Sequence, residues 1–210
     1  MKVLAIDTAG WVASVALWEE GREIAFKENG QDRSQASVLA QLVQEVTCDH
    51  KVDKIIVNVG PGSFTGIRLG VAFAKGLAMG WKIPIMGIDG FSVTYLGIEP
   101  HYDVLILIEA RRQDVYARRF QKGIPQTPCS LTREDIEKIL LAPNPPRLAG
   151  SGVYPFLEDL SFDDAPSQLR GAQALAYAFF KAPQQVVEPS PFYVREADVT
   201  YSSRSCSPPH

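Results

Sequence analysis

The sequence predicts an α/β fold made of two consecutive units, the first with the order βββαβα and then a fifth strand. Three observations carry that prediction. Short β-branched segments alternate with longer alanine-rich ones between residues 54 and 96, the alternation of a parallel sheet joined by crossover helices. Glycine-rich turns join unlike elements at Gly60-Pro61-Gly62-Ser63-Phe64-Thr65-Gly66 and at Gly150-Ser151-Gly152. The strand pattern that opens the chain restarts after Glu99-Pro100, so the units are expected over residues 1–100 and 101–200, the second smaller and partly irregular. Residues 201–210 lack periodicity and read as a disordered tail.

Lys2 to Asp7, Ala13 to Trp18 and Glu23 to Glu28 read as successive strands, turning at Thr8-Ala9-Gly10 and Glu20-Gly21. Ser34 to Cys48 places Leu39, Leu42, Val43 and Val46 at helical spacing, and Asp32 with Gln35 resembles a capping box. Strand (Ile55 to Val59), helix (Ile67 to Met79), strand (Ile85 to Ile88) and helix (Phe91 to Leu96) follow. In the second unit Val104 to Ile108 and Val115 to Phe120 form a hairpin, Thr132 introduces a helix over Arg133 to Leu141, Arg147 to Ala149 is a short strand, and Gly171 to Phe180 is a helix.

The turn at residues 60–66 supports two readings. Gly60 and Gly62 free the backbone and Ser63 or Thr65 can cap the next helix, whose amides would then face an anion, a phosphate for example. The helix itself is apolar nearly all round. Gly66, Gly70, Ala74 and Ala78 recur every fourth residue, Leu69, Phe73 and Leu77 form another stripe, and only Arg68 and Lys75 are charged. Such a helix must be covered on more than one side. The expected partner surface combines Leu39, Leu42, Val43 and Val46 with Gly66, Ile67, Gly70, Val71, Ala74 and Ala78; the alternative cover is the chain's own second unit.

The 210 residues are 46% hydrophobic, enough for a substantial core, and carry a net charge of −3. No basic field exists to hold RNA or an anionic membrane unaided, so a nucleic-acid role needs a basic partner. The N-terminus turns acidic at Asp7 after four apolar residues and no run of about eighteen apolar residues occurs, which predicts a cytoplasmic protein. Cys48, Cys129 and Cys206 are widely spaced and read as free thiols. Arg111, Arg112, Arg118 and Arg119 form the notable basic cluster, either a solvated hairpin face or a contact to a phosphate backbone inside an assembly.

Ile6-Asp7-Thr8-Ala9, Ser14-Val15-Ala16-Leu17, the run from Gly60 to Gly70 and Arg111 with Val115-Tyr116 together resemble the bacterial TsaB family, also called YeaZ. The resemblance is dense to about residue 120 and thins to Gly150-Ser151-Gly152 and Pro191-Phe192-Tyr193-Val194-Arg195. It implies the actin-like ATPase (ASKHA, ribonuclease H-like) fold and a role in making threonylcarbamoyladenosine (t6A) beside the anticodon of tRNAs that read codons beginning with adenine. In that system a paralogue, TsaD, binds a metal and transfers the threonylcarbamoyl group, TsaE hydrolyses ATP, and TsaB is the scaffold that binds TsaD. The implied partners are therefore TsaD as a heterodimer and TsaE, with a homodimer through the same helices, tRNA reached only through the complex, and ATP or ADP at the interface of the assembly.

The residues favour the scaffold. A TsaD-type metal site needs two histidines on one helix face, whereas His50, His101 and His210 are scattered and Arg33 stands where relatives often carry a lone histidine. Asp7 and Thr8, with Gly150 and Gly152, are the candidate nucleotide or magnesium contacts, against the alternatives that Asp7 bonds the amides of the Thr8-Ala9-Gly10 turn and that Gly150-Ser151-Gly152 is simply a strand-to-helix turn; Glu109 occupies the position where relatives usually have Asp. Ser63 and Thr65 lack a recognisable base and read as turn and cap residues. No catalytic or metal-binding set and no tightly held cofactor is expected; the alternative is an independent ATP-dependent phosphotransferase of the same fold.

Overall fold

Unbroken aliphatic runs build the strands at the centre of the molecule. In the computed structural model, which describes residues 1–29, 35–48, 50–98, 103–110, 113–157 and 160–194, Lys2–Asp7 (β1) and Lys54–Asn58 (β4) lie side by side and are buried on both faces. Ser14–Glu19 (β2) and Arg22–Glu28 (β3) continue the sheet on one side in antiparallel fashion, and Ile85–Ile88 (β5) extends it in parallel on the other. The strand order is β3-β2-β1-β4-β5. Gln35–Thr47 (α1) and Phe64–Trp81 (α2) cover one face and Gly90–Gly97 (α3) packs on the other. This is the actin-like, ribonuclease H-like architecture.

The second sheet repeats the plan in shorter form. Asp103–Glu109 (β6) pairs antiparallel with Asp114–Gln121 (β7), which also carries Ile124–Pro125 (β8) and Cys129–Thr132 (β9). Arg133–Leu140 (α4) follows, capped by Thr132 and Asp135 in a reciprocal box, and leads to Arg147–Ala149 (β10), parallel to β6. Tyr154–Leu157 (α5) is a single turn. Neither β8, β9 nor α5 is legible in the sequence, because a two-residue strand and a one-turn helix carry no period. Phe91 of α3 packs under one face of this sheet and Ile136 of α4 under the other.

Gly171–Lys181 (α6) departs from the expected division at residue 100. Its Ala172, Leu175, Ala176 and Phe179 pack with Val3, Ala5, Ala16 and Ile56 on the first sheet, beside α3. An alanine-rich face lies close to a flat strand surface, and the uncovered side of the first sheet offers one. The chain then turns at Pro183–Gln185 and closes the outer edge of β5, where Gly87 and Val187 exchange backbone bonds of 2.9 and 2.8 Å.

The ten residues expected on the partner surface point inward instead. Leu39, Leu42, Val43 and Val46 of α1, with Gly66, Ile67, Gly70, Val71, Ala74 and Ala78 of α2, are all buried against Leu4, Ile6, Val15, Leu17, Ile55 and Val57. Gly70 shows why: a Cβ there would lie 2.2 Å from the Thr8 hydroxyl, so the small residues let α2 approach its own sheet rather than a foreign helix. Periodicity marks a face without saying what covers it. The Asp32–Gln35 capping box, Arg33, Arg111, Arg112, His101, His210, Cys206 and the tail 201–210 lie outside the described residues.

Candidate functional site

Between the two sheets lies a cavity of about 550 Å³, walled by Asp7, Gly10, Trp11, Asn58, Glu109 and Gly150 among others. Strand ends position these groups. Asp7 ends β1, Asn58 ends β4 and Glu109 ends β6, so the carboxyl ends of strands from both sheets open on one cleft, where ligands sit in α/β folds.

The Asp7 carboxylate is buried and already engaged. The Ala9 amide donates to Oδ1 at 2.9 Å and Asn58 Nδ2 donates to Oδ2 at 3.0 Å. Burial raises its pKa above the ordinary 3.8, against the lowering effect of the Asn58 and Ala9 hydrogen bonds. Asn58 passes the connection onward by accepting the Gly60 amide at 2.9 Å. Thr8, expected near a nucleotide, is fully buried and donates to the Gly66 carbonyl at 2.7 Å, pinning β1 to α2.

The glycine turn is turned toward the chain itself. The Ser63 amide donates to the Ala9 carbonyl at 2.7 Å, Gly66 N–H donates to the Ser63 hydroxyl at 3.2 Å, and a Cβ at Gly62 would stand 2.3 Å from the Ala9 oxygen. Three amides of the turn, those of Gly60, Ser63 and Gly66, therefore face Asn58, Ala9 and Ser63 within the chain, which favours the structural reading of this turn. Ser63 is the N-cap of α2. Gly150 is held the same way: its φ is +106° and a Cβ would meet the Leu107 oxygen at 2.3 Å, while the Gly152 amide donates to that oxygen at 3.0 Å. These glycines let a turn pack on β6, and Gly150 also borders the cavity.

Two groups bridge the cleft. Trp11 Nε1 donates to Glu109 Oε2 at 2.6 Å, joining the first turn of one sheet to the strand end of the other. On the far wall the Ser14 hydroxyl accepts the Ala172 amide at 2.9 Å, and Arg170 pairs with Glu28 at 2.9 Å. Among the described residues no three of His, Cys, Asp or Glu gather to hold a metal. Arg118 lies 3.5 Å from Asp89 and Arg119 donates to Asp103 at 2.7 Å, so this half of the basic cluster is internally paired.

A second surface lies on the outward side of α2. Phe64 and Met79 are exposed there, Met79 by 80%. The Arg68 guanidinium stacks 3.7 Å from the Phe64 ring centre, and its Nε donates to the Tyr193 hydroxyl at 2.8 Å. Sequence reading passed over Asn58, Trp11 and Tyr193. A polar residue closing an apolar strand signals Asn58, and a tryptophan in a polar turn signals Trp11. Tyr193 stands 125 residues from its partner Arg68, so no local signal exists.

Residues 33–152 match the TsaD family, described as tRNA N6-adenosine threonylcarbamoyltransferase. The chain is 34% identical over 130 residues to the Escherichia coli tRNA threonylcarbamoyladenosine biosynthesis protein TsaB, covering 58% of this chain and 56% of that protein. It is 36% identical over 128 residues to the Bacillus subtilis protein of the same name, again 58% and 56% of the two chains. The chain thus spans little more than half the length of the curated relatives it matches. Its fold superposes on the crystal structure of an uncharacterized Pseudomonas aeruginosa protein with similarity to peptidase YeaZ, with a TM-score of 0.70 and 25% identity over 92% of this chain and 99% of that one.

Proposed function

We propose, because the chain belongs to the TsaB (YeaZ) family, that it is a noncatalytic subunit in the formation of threonylcarbamoyladenosine on tRNA. It binds a TsaD-type transferase, and TsaE joins the assembly. It pairs with a second copy through the same surface when the transferase is absent. The observation that carries this reading is the outward side of α2, where Phe64 and Met79 stand exposed on a helix whose other side is locked in the core. The docking surface is therefore α2's outer side, opposite the residues that periodicity singled out.

The cleft supports the noncatalytic part. Asp7 holds the Ala9 turn and Asn58, and Glu109 accepts from Trp11, so both strand-end acids serve structural bonds. The chain alone holds no nucleotide tightly; ATP or ADP enters at the interface of the transferase–TsaE assembly. tRNA is reached through the complex, since the chain's net charge is −3 and its described hairpin arginines are paired. No helix among the described residues is long and apolar enough to cross a membrane.

Reconstitution tests the reading. Transferase, TsaE, ATP, threonylcarbamoyl-adenylate and unmodified tRNA are combined with and without this chain, and modified adenosine is counted. Modification that depends on the chain supports the scaffold. ATP turnover by the chain alone near about 1 per second, lost in Asp7→Ala, would establish the phosphotransferase alternative, which the cavity beside Asp7 and Gly150 keeps in view.

A further inference from the structure

We propose that the outward side of α2 is a cationic docking strip that selects a carboxylate-bearing helical partner over a second copy of this chain. The inference rests on the scaffold reading and adds the chemistry of the partner. Phe64 to Trp81 contains no acidic residue, although the chain as a whole is negative. Its two charges, Arg68 and Lys75, are both exposed and seven residues apart, so they lie on one side of the helix about 10 Å apart along its axis. Among the described residues neither has an ion-pair partner.

Arg68 is held ready. Stacking on Phe64 and the Nε bond to Tyr193 fix the guanidinium plane, leaving its two terminal amino groups for a planar bidentate acceptor such as a carboxylate. Ordering the side chain beforehand lowers the entropy lost on binding. Exposed Ala72 stands between the two cations and exposed Gly76 just beyond Lys75, where a Cβ would meet nothing within 4 Å, so a facing helix can come close. A second copy offers the wrong charge. Its α2 brings two more cations, and the lone carboxylate of its α1, Glu45, is already held by Lys27 at 3.6 Å and Gln41 at 2.8 Å. Two cations flanked by exposed Phe64 and Met79 suit a protein surface better than a phosphate backbone, which needs a longer basic track.

The test compares the full-length chain with Lys75→Glu and with the double variant Arg68→Glu/Lys75→Glu, all checked for an unchanged thermal midpoint. Titration calorimetry measures binding to the TsaD-type transferase of the same organism at 50 and 300 mM salt. Charge reversal at both positions should weaken binding about tenfold or more, Lys75→Glu alone by less, and added salt should weaken the parent by about threefold. Sedimentation of a one-to-one mixture of the parent and the double variant should show more dimer than either alone. Transferase binding that ignores both salt and charge reversal overturns the inference while the scaffold reading stands. A parent that does not bind the transferase overturns the scaffold reading, and the mixing experiment then decides charge selection: no gain of dimer overturns it. Submicromolar tRNA binding by the parent, lost on charge reversal, would make the strip a nucleic-acid surface and overturn the proposal.

Discussion

The first sheet and the second are two executions of one plan, and they differ most after the fourth strand. In the first, β4 runs through the glycine turn into the 18-residue α2 and on to a complete β5. In the second, β10 runs through Gly150-Ser151-Gly152 into the four-residue α5, and the place of a fifth strand is taken by a single bridge between Leu148 and Asp164. Both turns use glycine for the same reason, since a Cβ at Gly62 or at Gly150 would stand 2.3 Å from a carbonyl oxygen. The two begin alike, with an acid closing the first strand, and end differently. A long helix buries one side and presents another; a single turn can only close a loop. The proposed docking surface therefore belongs to the first sheet, and the shortened second sheet supplies the other wall of the cleft.

Gly70 tests that comparison most severely. Gly70→Leu forces a side chain into the Thr8 hydroxyl beneath α2, and overpacking at a fully enclosed site should cost about 3 kcal/mol or more in urea unfolding. A variant as stable as the parent would mean that α2 does not rest on β1 as described.

Ser14→Ala asks whether α6 is tied to the first sheet. Loss of the acceptor for the Ala172 amide at a helix start should cost about 1 kcal/mol, seen as a lower urea midpoint. No change would show that packing alone holds α6.

Asp7 and Glu109, the matching acids, should then separate by pH. The folded-state pKa of Asp7 is raised, so its contribution to stability is fully present below the ordinary 3.8 and is lost as pH rises through the raised value. Thermal midpoints of the parent should accordingly fall relative to Asp7→Asn across that window, and a constant difference from pH 3.5 to 7 would contradict a buried, protonation-sensitive carboxyl. Glu109→Gln sits at an exposed bond, so stability should change by less than about 1 kcal/mol, while acrylamide quenching of Trp11 fluorescence should increase as the bridge loosens.

The smallest effect is a gain. Gly76→Ala fills open space on the exposed side of α2 and should raise stability by about 0.5–1 kcal/mol, the reverse in sign of Gly70→Leu six residues earlier on the same helix. If Gly76→Ala instead destabilises the isolated chain, the outward side of α2 is covered by the chain itself.

Local chemistry made much of the fold legible in advance. Aliphatic runs mark β1, β4 and β6 because strands buried on two faces tolerate little else, and Thr132 marks the start of α4 because a cap satisfies orphan amides locally. The motif from Gly60 to Gly70 identified the family for a related reason: a turn squeezed between Ala9, Asn58 and Thr8 accepts few other sequences. Other features depend on residues far apart in the chain. That α2's small residues face β1, that α6 returns to the first sheet, that Trp11 meets Glu109 and Tyr193 steadies Arg68 are contacts across 58 to 158 residues. Periodicity told that α2 has an apolar stripe to bury. Only the packed sheet decided which stripe it was, because burial is a property of the neighbour as much as of the helix.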